Sequence, residues 1–187
     1  MSQNHVIEWN KKKFLKWSDF KAESNPAAFE DAHSTIKYRF TWIVSSDKID
    51  KQIMFLIEDI HVFVEFHSIL SWVRSSQSSD SLLKHEQGIF DLAELVKREN
   101  LNVLQDIFYG KQFPTRGKNE QQQKQFAKED SGKMIAHEVE KLEKIYEKKR
   151  QEYVKQTNFG QNQEKQLEYD LMFEKLRSNL SRSNVSA

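Results

Sequence analysis

The segment His85–Ile89, His-Glu-Gln-Gly-Ile, is the part of the sequence whose residue types and spacing come nearest to a catalytic motif. In the zinc-protease box His-Glu-x-x-His, two histidines one helical turn apart bind the metal ion, and the glutamate activates the metal-bound water. This chain has the first histidine and the glutamate, but Ile89 stands where the second histidine is needed. A His-Glu pair on a helix is common by chance, so His85 and Glu86 alone do not predict a metal site.

The strand-like segment around His61 holds the other candidates for metal ligands. Any metal must be bound by His, Asp or Glu side chains, because the sequence has six histidines and no cysteine. His61 and His67 share one strand face, but at about 3.3 Å per residue they lie about 20 Å apart. Glu65 and His67, about 7 Å apart, could bind one ion together with His85. They are the alternative ligands.

The remaining histidines have no partners that suggest a metal site. His137 begins a similar box, but Lys141 stands at the position of the second histidine, so a surface helical role is expected. His5 and His33 have no metal-like neighbours in the sequence. Gly88 adds a structural expectation. An internal helical glycine costs about 1 kcal/mol relative to alanine, which predicts close approach of another chain segment.

The elements that must position these residues begin with a small sheet. β-branched and aromatic residues alternate with polar ones from Thr35 to Val44 and again around Ile60 to Leu70, the pattern of half-buried strands. The stretch 51–57 is either a strand of its own or the start of the second one. The apolar face of the first strand consists of Ile36, Tyr38, Phe40, Trp42 and Val44.

Helical periodicity follows the sheet. Ser79 or Asp80 can cap a helix that contains the His85–Ile89 segment, and a loop is expected at 111–119 around Pro114. Apolar spacings of three and four predict helices at about 79–100, 101–109, 120–157 and 163–180. The apolar side of the last helix is expected to consist of Leu167, Leu171, Phe173, Leu176 and Leu180.

The run SLLKHEQGIFDLAEL at Ser81–Leu95 resembles a bacterial family of uncharacterised proteins described as secreted zinc-dependent proteases. Members of that family carry H-E-Q-G-H-F-D in this segment, with His at the position of Ile89. Leu15–Phe20 is similar to the family's opening L-x-W-x-D-F pattern. Tyr153–Gly160, with the helix that follows, is similar to its Y-D-x-x-T-x-H stretch. The resemblance covers roughly residues 14 to 180 and is most specific in the helix box.

The resemblance implies a zincin-like fold in which His85 binds zinc and Glu86 is the general base. Two positions depart from the family: Ile89 replaces the second histidine, and Phe159 falls where a later histidine, the third ligand, is expected. A four-ligand zinc site contributes about 10–16 kcal/mol, so two missing ligands weaken binding by about 10⁴–10⁶-fold. His85 and Glu86 are therefore expected to be vestigial and no cofactor is expected, with Ile89 and Phe159 packed together at the former ion position.

Composition excludes several other classes of function. The net charge of +1 provides no field for nucleic acid, and no apolar run approaches the ~20 residues of a membrane span. The aromatic side chains fall mostly on predicted core faces. The sequence contains no Gly-rich phosphate loop and no Gly-x-Ser-x-Gly elbow.

Together these observations predict an α+β, zincin-like single domain at residues 1–180, strand-rich at 14–72 and helical at 79–180, with a disordered tail at 181–187. The predicted function is that of a catalytically inactive zinc-protease homologue that binds an unidentified protein partner or has a structural role. One alternative is an active metal-dependent peptidase that uses zinc, Glu86 as general base and non-standard ligands. The other is a helical assembly or scaffold protein that self-associates through its C-terminal helices.

No signal peptide is visible, so a cytoplasmic location is expected. A removed signal would instead mean a periplasmic or secreted protein.

Overall fold

The computed structural model describes residues 5–178 of the chain. Its helices are α1 (Asp80–Asp106), α2 (Glu120–Thr157) and α3 (Gln163–Ser178). Its strands are β1 (Val6–Glu8), β2 (Ala32–His33), β3 (Ile36–Ile49), β4 (Gln52–His67), β5 (Trp72–Val73) and β6 (Phe113–Pro114). Small antiparallel sheets and three helices make this an α+β fold, as the sequence predicted.

The chain forms two compact units. The first contains the described residues up to Lys37, Val64–Val96 and the described residues from Ile145 onward. The second contains Tyr38–Phe63 and Lys97–Lys144. A single domain over 1–180 stays a prediction, and the tail predicted at 181–187 lies outside the described residues.

In the first unit, one short strand pairs with the end of β4 and two others pair with each other. β1 pairs antiparallel with the last residues of β4, placing Val6 opposite His67 and Glu8 opposite Glu65. β2 and β5 form a separate two-stranded sheet. Segments of two or three residues are too short to show a period of two, so the sequence did not predict β1, β2 or β5.

The core of the first unit contains a series of aromatic contacts. The ring of Phe66 lies 5.0 Å from that of Phe20 and 6.0 Å from that of Phe90 on α1, measured between centroids. The backbone N–H of Leu15 donates to Gln87 Oε1 at 2.7 Å. The opening segment Leu15–Phe20 therefore packs beside the helix that carries the His85–Ile89 segment.

In the second unit, β3 and β4 form a hairpin. Asp50 and Lys51 connect them with φ angles of 48° and 69°, two consecutive left-handed residues as in the tight turns of hairpins. The stretch 51–57 is therefore the start of β4 rather than a separate strand. The loop predicted at 111–119 contains β6, which pairs with Met54 and Phe55 of β4.

The helices agree with the predicted segments except where two of them are continuous. The segments predicted at 79–100 and 101–109 form one helix, α1, which ends at Asp106. α2 has the predicted bounds Glu120 and Thr157. α3 begins at the predicted Gln163, but Leu180 lies outside the described residues.

The buried side of α3 differs from the predicted apolar stripe. Leu167 and Leu171 are 57% and 51% exposed. The buried positions of α3 are instead Gln166, Asp170, Phe173 and Leu176. Apolar spacing predicted the wrong face for the first turns of α3, because two buried polar side chains of this helix form hydrogen bonds in the interior.

Candidate functional site

Helix α1 carries the His85–Ile89 segment through the interior of the first unit. The helix begins where the Leu82 N–H donates to Ser79 Oγ at 3.1 Å, so Ser79 is the N-cap. Ten consecutive residues, 85–94, are buried. The apolar spacing of three and four residues predicts the burial of only some of these ten positions. The polar ones are buried as well because the helix is surrounded by protein.

His85 is held by α2 and α3. It is 1% exposed, and its Nδ1 lies 3.1 Å from Oε1 of Gln166. The Gln166 Nε2 donates to Asp170 Oδ1 at 2.9 Å. Because that carboxylate only accepts, the amide oxygen of Gln166 faces His85, and the imidazole donates through Nδ1.

The imidazole of His85 is neutral at physiological pH. Burial lowers its pKa to about 4, although the hydrogen bond to Gln166 acts in the opposite direction. A neutral ring that donates through Nδ1 has its lone pair on Nε2. His85 therefore has the tautomer that a metal ligand needs, because its Nδ1 is held by another side chain and its Nε2 carries the lone pair.

Two glycines allow the neighbouring segments to approach α1. A Cβ on Gly88 would lie 2.2 Å from the hydroxyl oxygen of Tyr153, and a Cβ on Gly160 would lie 2.9 Å from Cβ of His85. The close approach that Gly88 predicted is thus made by Tyr153. Gly160 lets the connection between α2 and α3 pass directly over His85.

Glu86 lies in a different environment from His85. It is 3% exposed, and Ser34 Oγ donates to its Oε2 at 2.5 Å. Burial raises the pKa of Glu86 to about 7, while the Ser34 hydrogen bond and the charge of Arg150 on α2 lower it. Near neutral pH the carboxyl group therefore exists in both protonation states.

Arg150 on α2 is the positive charge that lowers the pKa of Glu86. Burial lowers the pKa of Arg150, but Tyr146, Glu86 and Glu147 outweigh it, so the pKa is raised and the guanidinium stays charged. The neighbouring Tyr146 hydroxyl donates to the Ile89 carbonyl at 3.4 Å. Burial raises the pKa of Tyr146 to about 12.

The two residues at the expected ligand positions have no donor atoms in their side chains. Ile89 is 3% exposed within α1. Phe159 lies in the connection between α2 and α3, where residues 158–160 have φ angles of 46°, 54° and 83°. These three successive left-handed residues follow Thr157, where α2 ends as the sequence predicted. The Phe159 ring contacts Phe29, with centroids 5.6 Å apart.

A cavity of about 730 Å³ lies beside these groups and is called the cleft below. It is within the size range of small-molecule sites. Ile89 and Phe159 both line it, and the packing of these two side chains against each other stays a prediction. The polar and charged residues of its wall include Glu30, His33, His85, Glu86, Glu147, Arg150 and Lys155.

The alternative ligands Glu65 and His67 lie on β4 and face each other. The His67 Nε2 lies 3.5 Å from Glu65 Oε2, which is long for a hydrogen bond between charged groups. Burial and the charge of Lys37 lower the pKa of His67. Within residues 5–178, no group of three or more His, Asp or Glu side chains is arranged to hold a metal ion.

Several residues of the site had no signal in the sequence. His33 bonds Glu30 at 2.8 Å and lines the cleft with His85, although nothing near it in the sequence suggested this. Ser34, Arg150 and Gln166 lie 52, 64 and 80 residues from Glu86 along the chain. Contacts over such separations follow from the packing of the first unit.

Zinc does not fit the side chains at the two positions where the sequence resemblance led us to expect further ligands. His85 has a suitable tautomer, but Ile89 and Phe159 offer no oxygen or nitrogen atom in their side chains.

Among residues 5–178, no helix is long and apolar enough to cross a membrane. No family model, no curated protein and no solved structure matches this chain.

Proposed function

We propose that this chain is a non-catalytic, zincin-like homologue of zinc-dependent proteases that functions by binding, without zinc. The observation that carries the proposal is the pair of side chains at the ligand positions. Ile89 and Phe159 line the same cleft as His85 and Glu86, and neither can coordinate a metal. The segment resemblance at Ser81–Leu95 supports the zincin-like relationship.

The interior hydrogen bonds support a protein that folds without a metal. Gln166 bonds His85 and Asp170, and Asp170 forms an ion pair with Lys84 at 3.0 Å. Buried polar groups are costly unless they are paired. Because these partners come from the chain itself, the polar side chains of α1 have a structural role that needs no ion.

Metal analysis of the purified protein tests the proposal. The parent protein and His85→Ala are expected to contain no stoichiometric zinc after dialysis against micromolar zinc. The double variant Ile89→His/Phe159→His is expected to bind zinc through three histidines. Zinc in the parent that disappears in His85→Ala would overturn the proposal. A double variant that binds no zinc would show that position 159 is not a ligand position.

The first alternative is an active metal-dependent peptidase. It is favoured by the pKa of Glu86 near 7, which suits a general base. It predicts hydrolysis of a mixed peptide library that zinc stimulates and Glu86→Gln abolishes. The proposal of a non-catalytic protein predicts no such hydrolysis by the parent.

The second alternative is a helical assembly protein. It is favoured by Leu167 and Leu171 on α3, which lie one turn apart and are more than half exposed. It predicts dimers in sedimentation velocity that Leu167→Lys/Leu171→Lys dissociates. A monomer at all concentrations would count against it.

For the compartment of the protein we propose a cytoplasmic location, which stays a prediction.

A further inference from the structure

The 14-residue strand β3 lies at an edge of its sheet. It pairs with β4 on one side, and among residues 5–178 no strand pairs with its other side. Five consecutive residues of β3, 42–46, line a cavity of about 520 Å³ beside the first turns of α2. Because successive side chains point to opposite faces of a strand, a cavity that touches consecutive residues reaches the backbone. The edge of β3 is therefore accessible at these residues.

The middle of this edge lacks the sequence features that keep edge strands from pairing. Residues 40–46, Phe-Thr-Trp-Ile-Val-Ser-Ser, contain no charged residue, no proline and no glycine, and five of the seven are aromatic or β-branched. Proteins usually protect a sheet edge with charges, proline, a bulge or a covering segment. Lys128 Nζ on α2 donates to the Trp42 carbonyl at 3.1 Å, but a carbonyl oxygen has two lone pairs. An edge of this composition is expected to pair with another strand.

Opposite charges flank this uncharged segment on one face of β3. Arg39 and Asp47 lie four residues before and after Ile43, so the period of two places all three on the same face. All three are exposed, Ile43 by 52%. The Arg39 guanidinium lies 4.2 Å from the centroid of the Phe63 ring. Asp47 accepts a long hydrogen bond from Gln112, at 3.5 Å, which leaves its carboxylate further acceptor positions.

We propose that two copies of this chain form a dimer in which their β3 strands pair antiparallel, with the two-fold axis at Ile43. This register places Arg39 of each copy opposite Asp47 of the other, and the two exposed Ile43 side chains against each other. The two-fold symmetry forms both ion pairs at once. Opposite charges directly across two strands are favourable. The dimer goes beyond the proposed function, because it involves neither the cleft nor zinc.

The same charges disfavour other pairings of two copies. A parallel, in-register pairing would place Arg39 opposite Arg39 and Asp47 opposite Asp47, and like charges across two strands are destabilising. An antiparallel register centred on Trp42 would pair Asp47 with Lys37, but it would separate the two Ile43 side chains. A strand of an unrelated protein has no reason to carry the complementary charges at this spacing. A second copy of the chain carries them by symmetry.

Sedimentation velocity of the parent over a range of protein concentrations tests the dimer. The parent is expected to dimerise, and Ile43→Lys, which places two ammonium groups at the axis, should weaken the dimer at least about tenfold. Ile69→Lys is the matched control, because Ile69 lies outside β3 and is 53% exposed. A monomeric parent, or equal weakening by both variants, would overturn the inference. So would a dimer that Leu167→Lys/Leu171→Lys dissociates and Ile43→Lys does not, which would assign the contact to α3.

Charge exchange tests the two ion pairs. Arg39→Asp and Asp47→Arg each place like charges opposite one another in a homodimer, so each should associate at least about tenfold more weakly than the parent. An equimolar mixture of the two should form a heterodimer, because every Asp then faces an Arg. The double variant Arg39→Asp/Asp47→Arg should dimerise like the parent, which excludes misfolding as the cause of the single effects. No recovery in either the mixture or the double variant would contradict the register.

Single cysteines locate the axis, since the chain has no cysteine of its own. Under mild oxidation Ile43→Cys should give a disulfide-linked dimer on a non-reducing gel. Thr41→Cys and Ser45→Cys should not, because each thiol would lie about 13 Å along the strands from its counterpart, beyond the reach of a disulfide. Cross-linking that is strongest for Thr41→Cys, Trp42→Cys or Ser45→Cys would overturn the register. A monomeric, zinc-free parent would refute the dimer and leave the proposed function intact.

Discussion

The imidazole of His85 lies flat against the phenol ring of Tyr153, with centroids 4.8 Å apart and planes 8° apart. The Tyr153 hydroxyl group also donates to the His85 carbonyl at 2.9 Å and accepts from Gln166 Nε2 at 2.9 Å. Tyr153 is completely buried. One side chain of α2 thus fixes both the ring and the backbone of the first residue of the box.

Tyr153→Phe should therefore destabilise the protein. The change leaves the stacking intact but removes the partner of a buried carbonyl and of an amide, which costs about 1–3 kcal/mol. Urea unfolding followed by circular dichroism measures this difference. Tyr169→Phe is the matched control, because its hydroxyl group bonds Gln156 at an exposed position. Equal losses in both variants would contradict the importance of the buried network.

Gly88→Ala should also destabilise the protein, although alanine is the better helix former by about 1 kcal/mol. The new methyl group would overlap the Tyr153 hydroxyl group and approach Phe173. Overpacking of this kind costs about 1–3 kcal/mol. Thermal unfolding provides the measurement. Addition of Tyr153→Phe should recover part of the loss, and a more stable Gly88→Ala would show that α2 moves aside freely.

The protonation of Glu86 should make one part of the stability depend on pH. Its pKa is about 7 in the folded protein and 4.5 without burial. The folded state favours the protonated form, so Glu86 reduces stability as pH rises from about 4.5 to about 7. Glu86→Gln should gain stability relative to the parent over this window, by at most about 3 kcal/mol.

Free energies of unfolding at pH 4.5, 5.5, 6.5 and 7.5 test this expectation for Glu86. The groups that face its carboxyl group are Ser34, Arg150 and Glu30. Glu152→Gln, at an exposed position, serves as the control substitution. A Glu86→Gln difference that does not change with pH would mean that Glu86 ionises normally in the folded protein.

His85 should produce the opposite dependence. Its pKa is lowered from 6.5 to about 4, so the folded state favours the neutral ring. The stability associated with this ring is complete above pH 6.5 and is lost as pH falls toward 4. His85→Asn, which keeps a donor toward Gln166, should lose less stability than the parent over that window. The free energies of unfolding of the parent and of His85→Asn, compared at pH 4.5 and at pH 7.5, measure how much stability each protein loses.

Arg177→Lys should loosen the N-terminal segment. The Arg177 guanidinium binds Asp91 and donates to the carbonyl groups of Asn10 and Lys11 at 3.1 and 2.9 Å. It also lies 4.3 Å from the ring of Phe14. Lysine keeps the charge but lacks the planar fork, so hydrogen exchange at residues 6–15 should accelerate. Lys175→Arg, at an exposed position, is the control and should leave exchange unchanged.

Local patterns in the sequence predicted most of the secondary structure. The bounds of α2, the strand alternation at Thr35–Val44 and the helix end at residues 158–160 all follow from neighbouring residue types. Gly88 correctly indicated a close contact. These features depend on short-range sterics and on periodic burial, both of which are visible along the chain.

The surroundings of the site could not be predicted in the same way. Gln166 does not belong to the apolar stripe predicted for the last helix, yet it is buried and bonds His85, 81 residues away. Arg150 and Ser34 looked like ordinary polar residues. Periodicity identifies apolar faces, whereas a buried polar side chain depends on one particular partner that folding places beside it.

The continuous burial of residues 85–94 bears on how motifs in such helices are interpreted. Each polar side chain there has to match specific interior partners, so replacing one of them alone leaves a carbonyl, an amide or a charge unsatisfied. Mutational drift at these positions is therefore restricted by folding even where no reaction depends on them. His85 and Glu86 are thus accounted for by their interior partners, whether or not any reaction depends on them.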